Sequence, residues 1–555
     1  PNYAEVLPDI VVHPNMVGGA CVGDFNADTY PDLFIPGLGS NPDELYINNQ
    51  DGTFSQEAAA WGVDDTHLAS GTAAGDVNND GYTDLYVTSY GPPENPTPGN
   101  CRLYLNNGPD GQGAFSFTDV AAGAGVNRVH GDVVGGMGAA FGDIDLDGDL
   151  DLFVASWADE PGGNRLYENQ FMQTGAVSFV DITDESLSAP QRSIDIIRGF
   201  TPHFADLTGD RYPELLLTAD FRTSQLYVNN GVDPSGRASY RTVTEKANIL
   251  FDNNGMGAAI ADFNGDQRLD WFMTNIFIAQ GIGNTLYMNT GLDQEGDPIF
   301  SNQSTPRGVV HCGWGWGVLA DDFDNDRDQD MIAVGGWPDW ILEQIKFWAN
   351  DGDGFFTEEQ AGVGLDSTLH ALGIASMDFD KDMDLDIVIV QHNDSVRFYR
   401  NDMDHAQADT SALRVRLDTS THPCLAPSGR GAEIRATIAG ETQLHPVHNK
   451  GSYLSQSELT SHIGMGDASK IDTLEITWND GQTTTLQSVP ANQEITVNAY
   501  HRADLSEDGT IGFEDLNLFV AAFSASDPSV DFNADGTVGF EDLNAFVADF
   551  SAPCP

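Results

Sequence analysis

The stretch Asp143-Ile144-Asp145-Leu146-Asp147-Gly148-Asp149-Leu150-Asp151 carries an aspartate at relative positions 1, 3, 5 and 9. Carboxylates held a few ångströms apart repel one another, so these four side chains converge only around a positive charge. A hard divalent cation takes about six to eight oxygen ligands and prefers carboxylates and carbonyls. The stretch therefore predicts a cation-binding loop, for which calcium is the natural ion.

Six further stretches of the chain repeat this spacing. The seven copies begin at positions 24, 76, 143, 206, 262, 322 and 378, and separations of 52 to 67 residues indicate a repeat architecture. The predicted metal ligands are Asp24, Asn26, Asp28, Asp32; Asp76, Asn78, Asp80, Asp84; Asp143, Asp145, Asp147, Asp151; Asp206, Thr208, Asp210, Glu214; Asp262, Asn264, Asp266, Asp270; Asp322, Asp324, Asp326, Asp330; and Asp378, Asp380, Asp382, Asp386. The fourth set has a neutral ligand, Thr208, and the longer Glu214, so we expect it to bind calcium most weakly.

Each loop lies among segments with the length and composition of β-strands. In the third copy, Gly135–Phe141 precedes the loop, the apolar run Leu152–Val154 follows it, Leu166–Asn169 ends in asparagine, and a fourth segment opens on Phe179. Short apolar runs bounded by turn residues are typical of strands. Four strands per repeat, arranged radially, predict a mainly β fold with a seven-bladed β-propeller.

Only six copies are followed by a fourth segment that opens on an aromatic residue. These residues are Phe54, Phe117, Phe179, Tyr240, Phe300 and Phe356. The N-terminal stretch Tyr3-Ala4-Glu5-Val6 matches Phe117-Thr118-Asp119-Val120 closely. We therefore predict that the N-terminal strand completes the seventh blade and closes the ring.

The loop pattern, with its Gly/Ala-rich and apolar neighbours, resembles the FG-GAP or VCBS repeat of integrin α-subunit propellers and their bacterial relatives. The resemblance covers residues 1–403 and implies one calcium ion per loop, held by positions 1, 3, 5 and 9 and a backbone carbonyl. A single acidic loop could be a solvated turn, whereas seven copies at one spacing favour metal sites. We interpret these ions as structural rather than catalytic.

Residues 404–500 form a second region, without the acidic loop. Alternating strand patterns, such as Leu413–Leu417 and Leu474–Trp478, predict a separate β domain. Its motifs Gly451–Ser457 and His462–Gly466 resemble the ASPIC/UnbV domain, which follows FG-GAP repeats in the cartilage acidic protein family. That resemblance implies no settled chemistry.

A polar cluster in this second region admits two interpretations. Tyr453, Ser455, Gln456 and His462 form either a small binding site or a hydrogen-bonded turn that packs on a strand, and the turn is the simpler expectation. Nearby histidines are expected at the surface, where this residue type often lies; they are His445 and His448.

The tail, residues 501–555, contains two twelve-residue loops of the calcium-binding type with glycine at position 6. The candidate ligands are Asp504, Ser506, Asp508, Thr510 and Asp515, and Asp531, Asn533, Asp535, Thr537 and Asp542. Each loop precedes a run of helical period, and position 12 is aspartate. This duplicated unit resembles a dockerin, which implies two further calcium ions and a docking role; a calcium-clamped cap without a partner is the alternative.

The composition limits the possible partners. With 24 basic and 85 acidic residues the net charge is −61, which argues against nucleic acid and anionic membrane surfaces as ligands. No apolar run approaches the ~20 residues of a membrane span. The acidic loops suit the higher calcium level outside the cell, and from the start at Pro1 we expect a mature secreted or cell-surface protein. Of the five cysteines, we expect Cys554 to pair with Cys424.

We find no catalytic motif of the serine hydrolase, zinc protease, P-loop or dinucleotide type. The first hypothesis is therefore a non-catalytic calcium-binding protein for adhesion, matrix or surface assembly, whose partner is an extracellular protein or glycan, or another copy of the chain. The alternative is a carbohydrate-binding or carbohydrate-active protein that uses the propeller face and is anchored by its tail. Four tryptophans, which could line that face or fill the core, are Trp314, Trp316, Trp337 and Trp340.

Overall fold

The computed structural model describes most of the chain. The described residues are 3–5, 16–37, 41–91, 99–128, 135–157, 163–187, 197–249, 253–277, 283–337, 341–392, 394–403, 410–422, 424–532 and 536–551. Trp340, Asn533, Asp535 and Cys554 lie outside these ranges.

Residues 3–401 form seven antiparallel sheets, which are the seven blades of a β-propeller. We name the strands of each blade A to D from the centre outward. The A strands are Cys21–Gly23, Ala69–Gly75, Gly136–Gly142, Gly199–Ala205, Ala258–Ala261, Gly315–Asp321 and Ala371–Met377. The B strands are Asp32–Ile35, Asp84–Ser89, Asp151–Ser156, Glu214–Ala219, Asp270–Met273, Asp330–Trp337 and Asp386–Gln391.

The two outer strands complete each blade. The C strands are Glu44–Asn48, Arg102–Asn106, Arg165–Asn169, Gln225–Val232, Thr285–Leu292, Lys346–Asn350 and Arg397–Asn401. The D strands of blades one to six are Phe54–Gln56, Phe117–Asp119, Phe179–Asp181, Ala238–Thr242, Pro298–Asn302 and Phe356–Glu358. Additional short elements are the strands Ile341–Gln344 and Thr368–Leu369 and the helices Ala58–Trp61, Ala121–Ala124, Phe171–Thr174 and Thr183–Ser186.

The N-terminal strand is the D strand of blade seven. Tyr3–Glu5 pairs antiparallel with Arg397–Asn401, with Tyr3 opposite Asn401. The A strands of blades seven and one also contact each other near the axis. The first and last blades are therefore joined at both their inner and outer edges.

Small residues allow the A strands to approach one another closely. A Cβ atom at Gly138 would collide with the carbonyl group of Phe200, in the A strand of the next blade. The B strands carry the larger apolar side chains and are buried along their length, as in Asp151–Ser156. The hydrophobic core therefore lies between the blades, around the narrow channel that the A strands line.

The second region folds into two packed sheets. The first contains Ser411–Asp418 between Ser461–Gly466 and the parallel strand Gln493–Asn498. The second has the order Glu441–Pro446, Glu433–Ile438, Lys470–Thr477, Thr483–Pro490. Their shared core includes Leu413, Ile434, Ile463 and Trp478, so this region is a separate β domain, which we call the middle domain.

A hairpin of the middle domain enters the propeller channel. Its short strands, Gly451–Ser452 and Ser455–Gln456, pair with each other, and Gln456 pairs in parallel with Cys21 of the first A strand. Gly451–Ser452 also contacts the A strands of blades four, five, six and seven. We call residues 449–461 the plug. A Cβ atom at Gly19 would collide with the backbone of Leu454, so the glycine is required where the plug passes blade one.

The tail packs around two helices, Phe513–Ala525 and Phe540–Ser551, with a 3-10 turn at Pro528–Val530 between them. Phe519 and Phe546 stack at a centroid distance of 4.0 Å. They form a small core of their own with Ala503 and Val530.

The cysteines are in two states. Cys21, Cys101 and Cys312 are free and buried. Cys424 is disulfide-bonded, while its predicted partner, Cys554, lies outside the described residues. Within the described ranges, the helices are all too short or too polar to cross a membrane.

Candidate metal sites and the interface around the plug

The loop of blade three folds around its first aspartate. The carboxylate of Asp143 accepts the backbone N–H of Asp147 at 3.1 Å and that of Gly148 at 3.2 Å. The backbone is left-handed at position 4, Leu146, and at position 6, Gly148, with φ of 62° and 94°. All seven loops have left-handed residues at these two positions. These two reversals curl the loop, so that positions 1, 3 and 5 face one point.

The ninth residue ties the loop to its blade. Asp151 accepts the N–H of Ile144 at 2.9 Å with one oxygen and the N–H of Asn169, at the end of strand C, at 2.8 Å with the other. The carboxylate is therefore buried at the base of the loop, and neither of these two hydrogen bonds comes from a cationic side chain.

Burial and mutual repulsion make these carboxylates hard to ionise. Both effects raise the pKa of Asp145 to about 8 and hold the pKa values of Asp143 and Asp151 well above the ordinary range for aspartate. A bound cation would reverse both effects by supplying the missing positive charge.

Three of the loops bring acidic oxygens within 4.8 Å of one another, which is close enough to share a metal ion. These clusters are Asp143, Asp145 and Asp151; Asp322, Asp324 and Asp330; and Asp378, Asp380 and Asp386. Several acidic clusters of the protein can therefore bind metal ions.

The side chain at loop position 3 shows most directly that a cation fits the loop. In five loops its side-chain oxygen is buried and lacks a hydrogen-bond donor: Asn78, Asp145, Asn264, Asp324 and Asp380. A buried polar atom without a partner costs about 1–3 kcal/mol. The same buried oxygen without a hydrogen-bond donor recurs at position 3 of five loops, and a metal ligand requires such a free oxygen.

The loops with asparagine at position 3 hold that residue by its amide group. Asn26, Asn78 and Asn264 each donate from Nδ2 to the aspartate two residues later, at 2.9, 2.9 and 3.1 Å. Positions 3 and 5 are therefore adjacent in loops one, two and five.

Loop four differs in its backbone hydrogen bonding. Asp206 accepts the N–H of Gly209 at 2.7 Å with the oxygen that receives the fifth residue's N–H in the other loops. Oε1 of Glu214 is buried and without a hydrogen-bond partner, and Thr208 is bonded back to Asp206. The weak binding expected here stays a prediction, which this altered geometry supports.

The tail loops are described in part. Asp515 accepts the N–H of Ser506 at 2.9 Å and that of Gly512 at 2.7 Å, so position 12 closes the first loop. Asp504 accepts the N–H groups of Asp508 and Gly509 at 3.3 and 2.8 Å. Candidate ligands that are partly or fully exposed are Ser506, Asp508 and Thr510. In the second loop, Gly536 donates to Asp531 and Gly539 to Asp542, at 2.7 and 2.6 Å.

A set of asparagines that connects neighbouring blades could not be predicted from the sequence. The asparagine at the fifth residue of strand C donates from Nδ2 to the carbonyl of loop position 2 in the preceding blade. The pairs are Asn48 with Phe379, Asn106 with Phe25, Asn169 with Val77, Asn229 with Ile144, Asn350 with Phe263 and Asn401 with Phe323. In blade five, Asn289 instead bonds to Leu269 of its own blade. The repeated asparagine was visible as a turn residue, but its partner in another repeat was not.

The plug satisfies backbone groups that the A strands present to the channel. Ser455 Oγ accepts the N–H of Ala20 at 3.1 Å, Gln456 Oε1 accepts that of Ala74 at 3.1 Å, and Ser452 Oγ accepts that of Val318 at 2.9 Å. Tyr453 donates to the carbonyl of Met16 at 2.6 Å. The predicted polar cluster therefore packs into the propeller, and His462, on the neighbouring strand, bonds Asn325 of loop six at 2.6 Å.

The expectation that His445 and His448 lie at the surface is wrong. Their exposed fractions are 7% and 8%. The His448 ring is 5.8 Å from that of His203 in blade four, and the strand that carries His445 contacts the A strand of blade five. The two histidines are buried because the middle domain docks on the propeller, and the local sequence does not reveal this contact.

A buried arginine connects the middle domain to loop seven. Arg414 is fully buried and forms ion pairs with Asp378 and Glu494, each at 3.3 Å, and with Glu458 of the plug. Arg416, two residues on, lies 3.4 Å from Asp24 of loop one. The first candidate ligands of two loops therefore contact cations of the middle domain directly.

The tryptophans of blade six divide between core and surface. Trp316 is buried against Tyr453 of the plug, at a ring distance of 4.8 Å. Trp314 and Trp337 are half-buried and stack at 4.5 Å. These two rings could offer a face to a ligand, whereas Trp316 belongs to the core.

Comparisons with known proteins agree with this organisation. The ASPIC and UnbV family model matches residues 425–503. The FG-GAP-like repeat model matches residues 24–87, 143–217 and 206–273, and the FG-GAP repeat model matches residues 69–114. These matches cover the middle domain and part of the propeller.

Individual relatives are distant. Cartilage acidic protein 1 of Homo sapiens is 26% identical over 323 residues, which cover 54% of this chain and 43% of the relative. The protein of the same name from Xenopus tropicalis is 26% identical over 235 residues, covering 40% and 31%. The chain thus spans less than half the length of these curated relatives.

Among solved structures, one of BBS1N in complex with ARL6DN aligns with 72% of this chain and 98% of its own, at 10% identity and a TM-score of 0.40. The family matches, together with the blades and the middle domain, identify the chain as a protein with FG-GAP repeats followed by an ASPIC/UnbV domain.

Proposed function

We propose that this protein is an extracellular, non-catalytic binding protein whose propeller is stabilised by calcium and whose tail docks a protein partner. The observation that carries the calcium part is the buried position-3 oxygen without a donor, repeated in five loops. Seven propeller ions and two tail ions are expected from the number of loops.

Calcium suits these loops better than a transition metal does. The donors are carboxylate, amide and hydroxyl oxygens, which favour hard cations, and no histidine or cysteine belongs to the acidic clusters found among the described residues. When bound, the ion supplies the positive charge that lets Asp143, Asp145 and Asp151 ionise together. The chain's own contribution is to hold these oxygens ready through the loop backbone.

The same ligand chemistry supports an extracellular location. Sites with partly exposed ligands, such as Asp508 and Thr510, suit calcium at the ~10⁻⁴–10⁻³ M that extracellular modules bind. The relatives also carry cartilage, an extracellular tissue, in their name.

The tail presents the apolar surface from which we infer docking. Phe513 and Phe540 occupy equivalent positions at the starts of the two helices, with exposed fractions of 76% and 69%. Further exposed apolar residues of these helices are Leu518, Val520 and Val547. Exposed apolar patches of this kind typically mark interaction sites.

The charge of the tail indicates the kind of partner. Glu514 and Glu541 follow the two phenylalanines directly, and the whole chain carries −61 charges. Two copies of so acidic a chain repel each other. The occupant that fits is a protein with an apolar patch bordered by lysine or arginine, and self-association is the competing outcome.

Calcium titration, partner capture and sedimentation test the proposal. When calcium is titrated into the chelator-treated protein, native mass spectrometry should show about nine bound ions, and thermal unfolding should show a rise in melting temperature. Failure to bind calcium would remove the calcium part of the proposal. Partners retained from extracellular material by the wild type and by the control F355S, but not by F513S/F540S, would support the tail surface. A partner set unchanged among all three chains would contradict it, and a doubled mass in sedimentation would indicate self-association.

A carbohydrate ligand is the second candidate, favoured by the half-buried stack of Trp314 and Trp337. Aromatic faces in pairs are suited to the apolar faces of sugar rings, while nearby polar groups fix orientation. A glycan array with wild-type protein and W337A tests it. Binding that W337A abolishes would support this function, and release of reducing ends would indicate an enzyme.

A further inference from the structure

Arg430 of the middle domain is a buried cation at the propeller interface. Its exposed fraction is 4%. The Nη2 group donates to the carbonyl oxygen of Ala74 in the A strand of blade two, whereas Nη1 is buried and lacks a hydrogen-bond acceptor. Across the described part of the chain, no carboxylate pairs with this guanidinium. A buried charge without a partner costs several kcal/mol, so native proteins provide a counter-charge.

The guanidinium borders a cavity of about 90 Å³ between loops one and two and the middle domain. Its lining includes Asp24, Asp76, Arg416, Glu458 and the hydroxyl-bearing Thr460. One water molecule takes up about 30 Å³ of liquid, so the cavity has room for a small ion and its remaining hydration.

The carboxylates around the cavity already have partners. Asp24 lies 3.4 Å from Arg416, and Glu458 pairs with Arg414. Asp76 accepts the backbone N–H of Gly81 at 2.7 Å and that of Asp80 at 3.1 Å, and it is the first ligand of a candidate metal loop. None of them neutralises Arg430.

The nearest ionisable neighbour does not neutralise Arg430 either. Cys21 interacts electrostatically with Arg430, but burial raises the pKa of its thiol to about 12, so it is uncharged at pH 7. Burial lowers the pKa of the arginine only to about 10, so the guanidinium stays charged. The positive charge therefore needs an anion from solution.

We propose that this cavity binds a small monovalent anion such as chloride, held by Arg430 Nη1 with the hydroxyl of Thr460 at its border. The anion completes the contact between the middle domain and blade two, because the same guanidinium bonds Ala74. Its site differs from the metal loops in the charge of the ion it would bind, although Asp24 and Asp76 of loops one and two line the same cavity.

The test compares anions at constant calcium and ionic strength. Replacing isethionate, a much bulkier anion than chloride, by chloride should raise the melting temperature of the full chain by about 1–3 °C with a saturable dependence. R430M should lose this dependence. The matched control R435M, which removes an arginine that pairs with Glu433 at 2.8 Å elsewhere in the middle domain, should keep it.

Equal chloride dependence in the wild type and R430M, or none in the wild type, would overturn the proposal. If R430M does not fold, crystals of the wild type grown in bromide provide the answer. An anomalous peak within hydrogen-bonding distance of Arg430 Nη1 supports the site, and its absence at full bromide exchange refutes it.

Discussion

The side-chain amide of Asn48 donates a hydrogen bond of 2.7 Å to the carbonyl oxygen of Phe379, which joins the first blade to the last across 331 residues. The same amide donates to Pro31 of its own blade at 3.2 Å, and its backbone N–H donates to Asp32 at 2.8 Å. One asparagine therefore links the ninth residue of one candidate metal loop to the second residue of another. Because five other blades repeat this link, the metal loops and the closure of the ring are mechanically connected.

Replacing Asn48 by alanine should weaken the ring at its closure. The change removes two buried side-chain hydrogen bonds and leaves the Phe379 and Pro31 carbonyls without this donor, so we expect a loss of about 2–4 kcal/mol in the free energy of unfolding. Denaturant titration checks this. The control Asn49→Ala, at an exposed residue of the same type, should change stability by less than about 0.5 kcal/mol; equal effects would contradict the role of Asn48.

Removal of residues 1–12 should open blade seven. Tyr3–Glu5 supplies the strand that pairs with Arg397–Asn401, so its loss leaves an unpaired edge strand and should lower the melting temperature by more than about 5 °C. Hydrogen exchange offers an internal control. Amides of Arg397–Asn401 should exchange faster, whereas those of Arg165–Asn169 in blade three should change little, and an unaltered melting temperature would refute the closure.

Chelation of calcium should destabilise the protein, and variants of single loops should show which loops bind the ion. At about 100-fold excess over its dissociation constant, each calcium ion adds about 2.7 kcal/mol. Asp145→Ala should remove one ion in native mass spectrometry and reduce the difference in melting temperature between calcium and chelator. Asp184→Ala, at an exposed aspartate outside the loops, should alter neither quantity; the same ion count in both variants would argue against loop three as a site.

Glycine at position 6 of loop five should stabilise the protein. Gln267 has φ of 62°, a left-handed conformation that costs a residue with a Cβ atom about 1–2 kcal/mol. Since glycine loses more backbone entropy on folding, we expect Gln267→Gly to gain about 0.5–1 kcal/mol in the free energy of unfolding. Thermal unfolding measures it, and the reverse change Gly148→Ala, at φ of 94°, should be destabilising.

Acid should loosen the interface around the plug. Burial lowers the pKa of His203 to about 4 and that of His445 to about 3, against about 6.5 in the unfolded chain. Because the unfolded state takes up protons first, the contribution of neutral histidine is complete above pH 6.5 and declines as the pH falls toward 4. For His203 the loss is on the order of 3 kcal/mol.

Melting curves between pH 7.5 and 5 at saturating calcium measure this effect. His203→Phe should have a shallower loss of stability with acid than the wild type. The control His311→Gln, at an exposed ring, should follow the wild-type curve, and identical pH profiles for all three proteins would exclude the buried histidine as a cause.

Much of the propeller could be predicted because its signals are local. The aspartates of one loop lie within nine residues, so their spacing alone indicates convergence, and the hydrophobic runs beside them indicate the strands. Repetition then supplied the number of blades, and the N-terminal strand resembled the fourth segment of the other repeats. Each of these inferences compares residues that are neighbours in the chain.

The interface depended on contacts that no local pattern encodes. Ser455 bonds Ala20 across 435 residues, and His445 and Arg430 are buried where the middle domain rests on the propeller. The amino-acid sequence alone determined the Asp143 loop, its six further copies and the strands around them, since spacing and periodicity act over a few residues. The three-dimensional packing decided that the plug fills the channel and that, among the described residues, Arg430 has no carboxylate partner, because burial and pairing are properties of segments brought together from distant parts of the chain.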